Sequence, residues 1–156
     1  MGVAGCGKTT IGRLLAQKLG WRFDDADDFH PAANVAKMSA GQPLNDEDRA
    51  PWLNAIGDHI TDCLARDEGA VVTCSALKKA YRDVIVVDPT RVKLVHLAGS
   101  RELLWERISS REEHFMKPAM LDSQLATLEI PEDALTVDIA PEPEAIVASI
   151  CDSLSL

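Results

Sequence analysis

The segment Gly2-Val3-Ala4-Gly5-Cys6-Gly7-Lys8-Thr9-Thr10 constrains this chain more than any other. It meets every fixed position of the phosphate-loop pattern G-x-x-x-x-G-K-[ST]. The spacing has a physical cause. Gly5 and Gly7 permit positive φ and close backbone approach, so amides from Gly2 through Thr10 can turn inward toward phosphate oxygens. Lys8 supplies a mobile positive charge for the β- and γ-phosphates of ATP, and the Thr9 hydroxyl is a candidate ligand for Mg²⁺. The run from Ile11 to Leu19 reads as a helix whose positive end would sit under the phosphates. A glycine-rich turn capping an ordinary helix is the bland alternative. Four fixed positions met directly ahead of a helix speak against it.

A phosphate loop ordinarily hangs from the C-terminal end of a buried strand in mid-sheet. No such strand precedes Gly2 here, so Met1 is expected to be an internal methionine of a longer natural protein. The chain of 156 residues suits a single domain over residues 1–156 with a sizeable core. A net charge of −9 argues against nucleic acid or an anionic membrane as partner. It leaves ATP open, because a phosphate loop binds through local backbone dipoles and Mg²⁺. Cys6, Cys63, Cys74 and Cys151 are widely spaced and form no metal-binding or disulfide pattern. A soluble, cytoplasmic protein with reduced thiols is expected. Cys6, at a helix N-terminus, is the one thiol with a reason for a lowered pKa, against inert packing as the alternative.

Strand and helix characters alternate along the chain. Strands are expected at Trp21 to Asp24, Ala70 to Cys74, Val92 to Leu97 and Thr136 to Ile139. Helices are expected at Pro31 to Ala40, Asp48 to Arg66, Lys78 to Val86, Arg101 to Arg111, up to about Leu128, and Glu142 to Leu154. This order implies right-handed crossovers and an α/β fold, with a parallel sheet covered by helices on both faces. Ligands in such sheets bind at the carboxyl ends of the strands.

After the first of these strands comes Asp24-Asp25-Ala26-Asp27-Asp28-Phe29-His30-Pro31. Clustered carboxylates repel unless something cationic or protic sits among them. In one arrangement Asp25 helps hold Mg²⁺ through water, while Asp27 accepts a hydrogen bond from a substrate hydroxyl and acts as base. The other reading is a solvated acidic turn capping the next helix. The strand ending Thr73-Cys74-Ser75 carries no carboxylate for the metal, which favours Asp25 as its supplier.

Several runs resemble the gluconate kinase family. They are the phosphate loop, Asp25 to Pro31, Pro43-Leu44-Asn45-Asp46-Glu47-Asp48-Arg49-Ala50-Pro51-Trp52-Leu53 and Cys74-Ser75-Ala76-Leu77-Lys78-Lys79-Ala80-Tyr81-Arg82-Asp83. His114-Phe115-Met116 and Ser123 to Glu129 also match. The resemblance runs along nearly the whole chain. It implies a P-loop NTPase fold of the nucleoside-monophosphate-kinase-like type, close to shikimate kinase, with a small lid at about residues 111–128. The implied reaction is ATP plus D-gluconate giving ADP plus 6-phosphogluconate, with a homodimer suggested by the family's tendency.

A linear polyhydroxy acid needs a cation for its carboxylate and hydrogen-bonding groups for its hydroxyls. Arg49 can engage a carboxylate bidentately. Its spacing equally allows a surface ion pair with Asp46 or Asp48. His30, Lys78 and Arg82 are further candidates, against a reading of Lys78, Lys79 and Arg82 as a solvated helix face. Arg107 and Arg111 share a helix face. By resemblance to shikimate kinase, Arg107 would lie near the adenine and Arg111 near the phosphates. Pairing with Glu106, Glu112 and Glu113 is the alternative. The competing functions are a kinase of another small hydroxy acid and a nucleotide-binding module without catalysis. A GTPase is disfavoured, because no N-K-x-D motif occurs.

Overall fold

The computed structural model describes residues 1–110 and 118–156. The expected Arg101 to Arg111 helix, the lid, Arg111 and His114 therefore fall partly or wholly outside the described residues. Among those residues the order is α1 (Lys8–Leu19), β1 (Arg22–Asp25), a 3-10 turn (Ala26–Phe29), α2 (Ala32–Ser39) and α3 (Asp46–Ala65). Then follow β2 (Ala70–Thr73), α4 (Lys79–Ile85), β3 (Val95–Ala98), α5 (Arg101–Ser109), α6 (Pro118–Thr127), β4 (Leu135–Asp138) and α7 (Pro143–Leu154). Every expected helix and strand has a counterpart, and the 3-10 turn is the addition.

Element boundaries follow local chemistry. Gly7 at φ 86° starts α1, and Gly20 at φ 67° ends it, its N–H reaching the carbonyls of Ala16 and Gln17. Helix α3 starts earlier than hydrophobic period alone suggests, because Asn45 and Asp48 form a reciprocal capping box. Helix α7 starts at Pro143, whose missing N–H costs nothing in a first turn.

The strands form two parallel pairs, not one continuous ladder. Strand β1 pairs with β2 from Arg22 opposite Ala70 to Asp25 opposite Thr73, and β3 pairs with β4 from Val95 opposite Leu135 to Ala98 opposite Asp138. Between β2 and β3 lies an apolar cleft of about 450 Å³, with Ile11, Ile56, Val72, Val95, Leu97 and Ile150 in its walls. Met1 and Gly2 bridge its end. Leu97 N–H donates to the Met1 carbonyl at 3.0 Å, and Gly2 N–H donates to the Ser75 carbonyl at 3.2 Å. The phosphate loop is thereby hung from the carboxyl ends of both strand pairs.

Two hydrophobic clusters hold the layers together. One joins α1, α5 and α7 to β3 and β4 around Leu104, Ile108, Ile139 and Ile150. The other joins α3 and α4 to the 3-10 turn around Trp52, Ile56 and Ile85. Each fully buried aliphatic side chain contributes about 1.5–3 kcal/mol by removal from water. Close approach is written into Gly12, where a Cβ would stand 2.6 Å from Thr73 Cγ2 and 2.8 Å from Phe23. Helix α1 can lie on β1 and β2 only because that side chain is absent. Among the described residues, no helix is long and apolar enough to cross a membrane.

Candidate active site

The loop adopts the geometry its glycines permit. Gly2, Gly5 and Gly7 all have positive φ, and a Cβ on Gly5 would collide with the Leu104 carbonyl at 2.8 Å. No side chain among the described residues caps α1, so the first-turn amides of Lys8, Thr9 and Thr10 project from the helix's positive end. Lys8 Nζ donates to the carbonyls of Gly2 at 3.0 Å and Val3 at 3.1 Å, inside the loop's own concavity. Ala4 N–H is taken by Gln124 Oε1 of α6 at 2.7 Å.

Strand alternation divides the acidic turn. Successive side chains of β1 point to opposite faces. Asp24 faces α3, where Arg22 grips both its oxygens at 2.8 and 2.7 Å and His59 Nε2 lies 3.1 Å away. Burial pushes its carboxyl up, but hydrogen bonds from Arg22 and His59 outweigh that and hold it below the usual range. Asp25 faces the loop. Its Oδ2 accepts the Thr9 hydroxyl at 3.3 Å, and its Oδ1 accepts the Asp27 amide at 3.3 Å.

Asp27 follows on the 3-10 turn, at the lip of the site. Partial desolvation, and then the neighbouring charge of Asp25, raise its carboxyl above the ordinary value, with His30 and Lys8 opposing. Asp25 combines both readings: its Oδ1 caps the 3-10 turn while its Oδ2 accepts the loop threonine hydroxyl.

The chemistry of this pair can be tested against Mg²⁺. That ion takes one or two protein oxygens and keeps water and phosphate oxygens for the rest. Thr9 and Asp25 offer such a pair. No group of three or more metal-ligating side chains occurs among the described residues, so a protein-only cage is excluded there.

Beside Asp27 the 3-10 turn is held rigid by α3. Trp52 Nε1 donates to the Ala26 carbonyl at 2.6 Å, and the Trp52 ring stacks on His30 at 4.4 Å with 12° between planes. Asn34 Nδ2 bridges His30 Nδ1 at 3.3 Å and the Asp48 carbonyl at 2.8 Å. Burial, and secondarily Arg49, lower the His30 pKa, which favours the neutral imidazole.

Next comes a charged cluster at the adjoining ends of α3 and α4. Lys78 Nζ donates to both Asp46 oxygens at 2.9 and 2.7 Å, and the Tyr81 hydroxyl donates to the same carboxylate. Arg49 Nη1 lies 3.9 Å from Asp46. Lys78 and Arg49 both stand over the Tyr81 ring, 5.4 and 5.9 Å from its centre. Arg82 stands apart. It is buried, and its Nη1 donates to the carbonyls of Ala76 and Leu77, bracing a loop in which Ala76 holds φ 44°.

Arg107 lines a separate cavity of about 270 Å³ with Gly5, Gly7, Thr10 and Pro143. Its Nη2 donates to the Ile139 carbonyl at 2.7 Å. Cys6 is fully buried, in line with packing rather than redox chemistry. Burial pushes the Cys74 thiol up to about 11. All four cysteines are free.

Sequence reasoning gave no individual role to Gln124, Tyr81 or Asn34, and named Asp46 only as an alternative ion-pair partner of Arg49, a pair the structure contains. Gln124, Tyr81 and Asp46 lie inside the runs that carry the family resemblance, which was the available signal. Their partners, 120 and 35 positions away for Gln124 and Tyr81, are set by the tertiary fold.

Comparison with known proteins adds the following. A family model described as shikimate kinase matches residues 4–140. The gluconokinase of Gluconobacter oxydans (strain 621H) is 50% identical over 133 residues, covering 85% of this chain and 75% of that protein. A probable gluconokinase of Rattus norvegicus is 41% identical over 175 residues, covering 99% and 95%. A solved gluconokinase from Sinorhizobium meliloti 1021 superposes with a TM-score of 0.84 at 40% identity, covering 99% of this chain and 93% of that one.

Proposed function

Because the chain belongs to the gluconokinase family, on the P-loop kinase fold it shares with shikimate kinase, we propose that it transfers the γ-phosphoryl group of ATP to D-gluconate. The observation that carries this reading is one continuous lip of the molecule. It runs from the open amides of α1, through Asp25 and Asp27, to His30, Arg49 and Lys78.

The amides of Gly5 to Thr10 bind the phosphates through dipoles already oriented by the loop, so little reorganisation accompanies reaction. Lys8 leaves the carbonyls of Gly2 and Val3 for the β- and γ-phosphates. Mg²⁺, held by Thr9 and through water by Asp25, would neutralise charge on those phosphates. The cavity beside Arg107 takes the adenine. Asp27 orients the primary hydroxyl and accepts its proton as the new O–P bond forms and the bond to ADP breaks. Its raised pKa makes it a better base than an ordinary aspartate. Arg49 and Lys78 answer the substrate's carboxylate, and His30, as a neutral ring, meets hydroxyls. Arg82 acts indirectly, by bracing the loop that carries Lys78. Arg111 enters no step here.

The test is ADP release with D-gluconate and with shikimate as acceptors, in the presence of Mg²⁺. Release that depends on gluconate and is weak with shikimate is expected. Absence of gluconate-dependent turnover overturns the proposal.

A further inference from the structure

Lys78, Tyr81 and Arg49 converge on the carboxylate of Asp46. It has no duty that would explain this. The start of α3 is already capped without it: Asn45 Oδ1 accepts the Asp48 amide at 2.8 Å, and Asp48 Oδ2 accepts the Asn45 amide at 2.9 Å. The Asp46 side chain is 61% exposed, so nothing packs it in place. The two cations it holds are only about one-third exposed, and each lies over the Tyr81 ring. A buried phenol and two half-buried cations make a socket for one carboxylate, and an exposed side chain from the socket's rim fills it.

We propose that Asp46 is a resident stand-in for the carboxylate of the acid substrate: it occupies the Arg49–Lys78–Tyr81 socket in the free protein and is displaced when the substrate binds. This rests on the proposed function above and adds a specificity-determining residue to it. Displacement is inexpensive, because Asp46, once released, still lies in the first turn of α3, where the helix dipole favours a negative charge. Hydrogen bonds from Lys78 and Tyr81 hold its carboxyl below the usual range, which favours the charged form that competes for the socket.

The device also selects. An uncharged polyol of the same length offers nothing that can replace Asp46, so the socket stays closed to it. An anion exchanges one ion pair for another. Asp46 thus weakens binding of the true substrate slightly, and in return keeps the cations satisfied when no acid is present.

The experiment compares Asp46→Asn and Asp46→Glu in the full chain. Removing the resident charge should lower KM for D-gluconate by about two- to fivefold, the range for a partly exposed ion pair. The preference for gluconate over uncharged D-sorbitol should fall, because no resident charge then closes the socket to the polyol. Asp46→Glu, which keeps the charge, should stay close to the parent on both measures. A KM for gluconate that rises or does not move in Asp46→Asn overturns the proposal, since a latch that merely positions the cations would weaken binding when cut. If the parent chain itself fails to turn gluconate over, the functional reading falls and this inference with it.

Discussion

Asp27 carries two opposite demands. Desolvation and the Asp25 charge raise its carboxyl pKa, so the native state holds a proton there more tightly than the unfolded chain does. Whatever stability the group gives is therefore present at low pH and lost as pH rises through its folded value, above 3.8. Above that value the ionised Asp27 destabilises the fold. Asp27→Asn should consequently melt higher than the parent while losing about 10²–10⁴-fold in kcat and retaining ATP binding. Calorimetric melting and steady-state rates check both halves, and a lower melting temperature would contradict the electrostatic account. At Arg49 the expected loss is in binding. Arg49→Lys keeps the charge but not the planar fork, so KM for gluconate should rise by about tenfold, with a smaller change in kcat. A change confined to kcat would remove Arg49 from carboxylate recognition.

Helix α6 reaches the site without touching the chemistry. Gln124 gives its amide oxygen to Ala4 N–H, tying the phosphate loop to an element over a hundred residues away. Gln124→Ala should therefore raise KM for ATP by about fivefold, the worth of one hydrogen bond, and leave KM for gluconate nearly unmoved. The opposite split would place Gln124 on the acceptor side. Helix α3 has the complementary task. Its Trp52 anchors the 3-10 turn and stacks on His30, while its first turn presents Asp46 and Arg49. Helix period and a Gly stop are visible in one dimension, which is why α2, α3 and α7 were legible to within about two residues and α1 to within about three, its first turn being part of the phosphate-loop motif. The 3-10 turn was not, because nothing in Ala26–Phe29 distinguishes it from a loop until Trp52 holds the Ala26 carbonyl.

At the scale of the whole molecule, the charge of −9 is spread over a chain of 156 residues and repels itself. Raising sodium chloride from about 10 mM to about 150 mM shortens the screening length from about 30 Å to about 8 Å. The melting temperature should rise over that interval, and a fall would mean that surface ion pairs such as Arg101–Asp122 outweigh the repulsion. Met1 and Gly2 join the two strand pairs, so the loop sits at the junction of both halves of the core.

By itself the sequence determined the phosphate loop, the helix behind it, the alternation of strands and helices, and the family. These depend on residues close together in the chain, where glycine torsions, capping and hydrophobic period act over one or two turns. Only the tertiary structure decided which acidic side chains face the loop, that Arg82 is spent on buried carbonyls, and that Asp46 sits in the cation socket. Those outcomes depend on strand parity and on neighbours tens of positions away. A residue's type states what it can bond to, and only the packed chain brings the partner within reach.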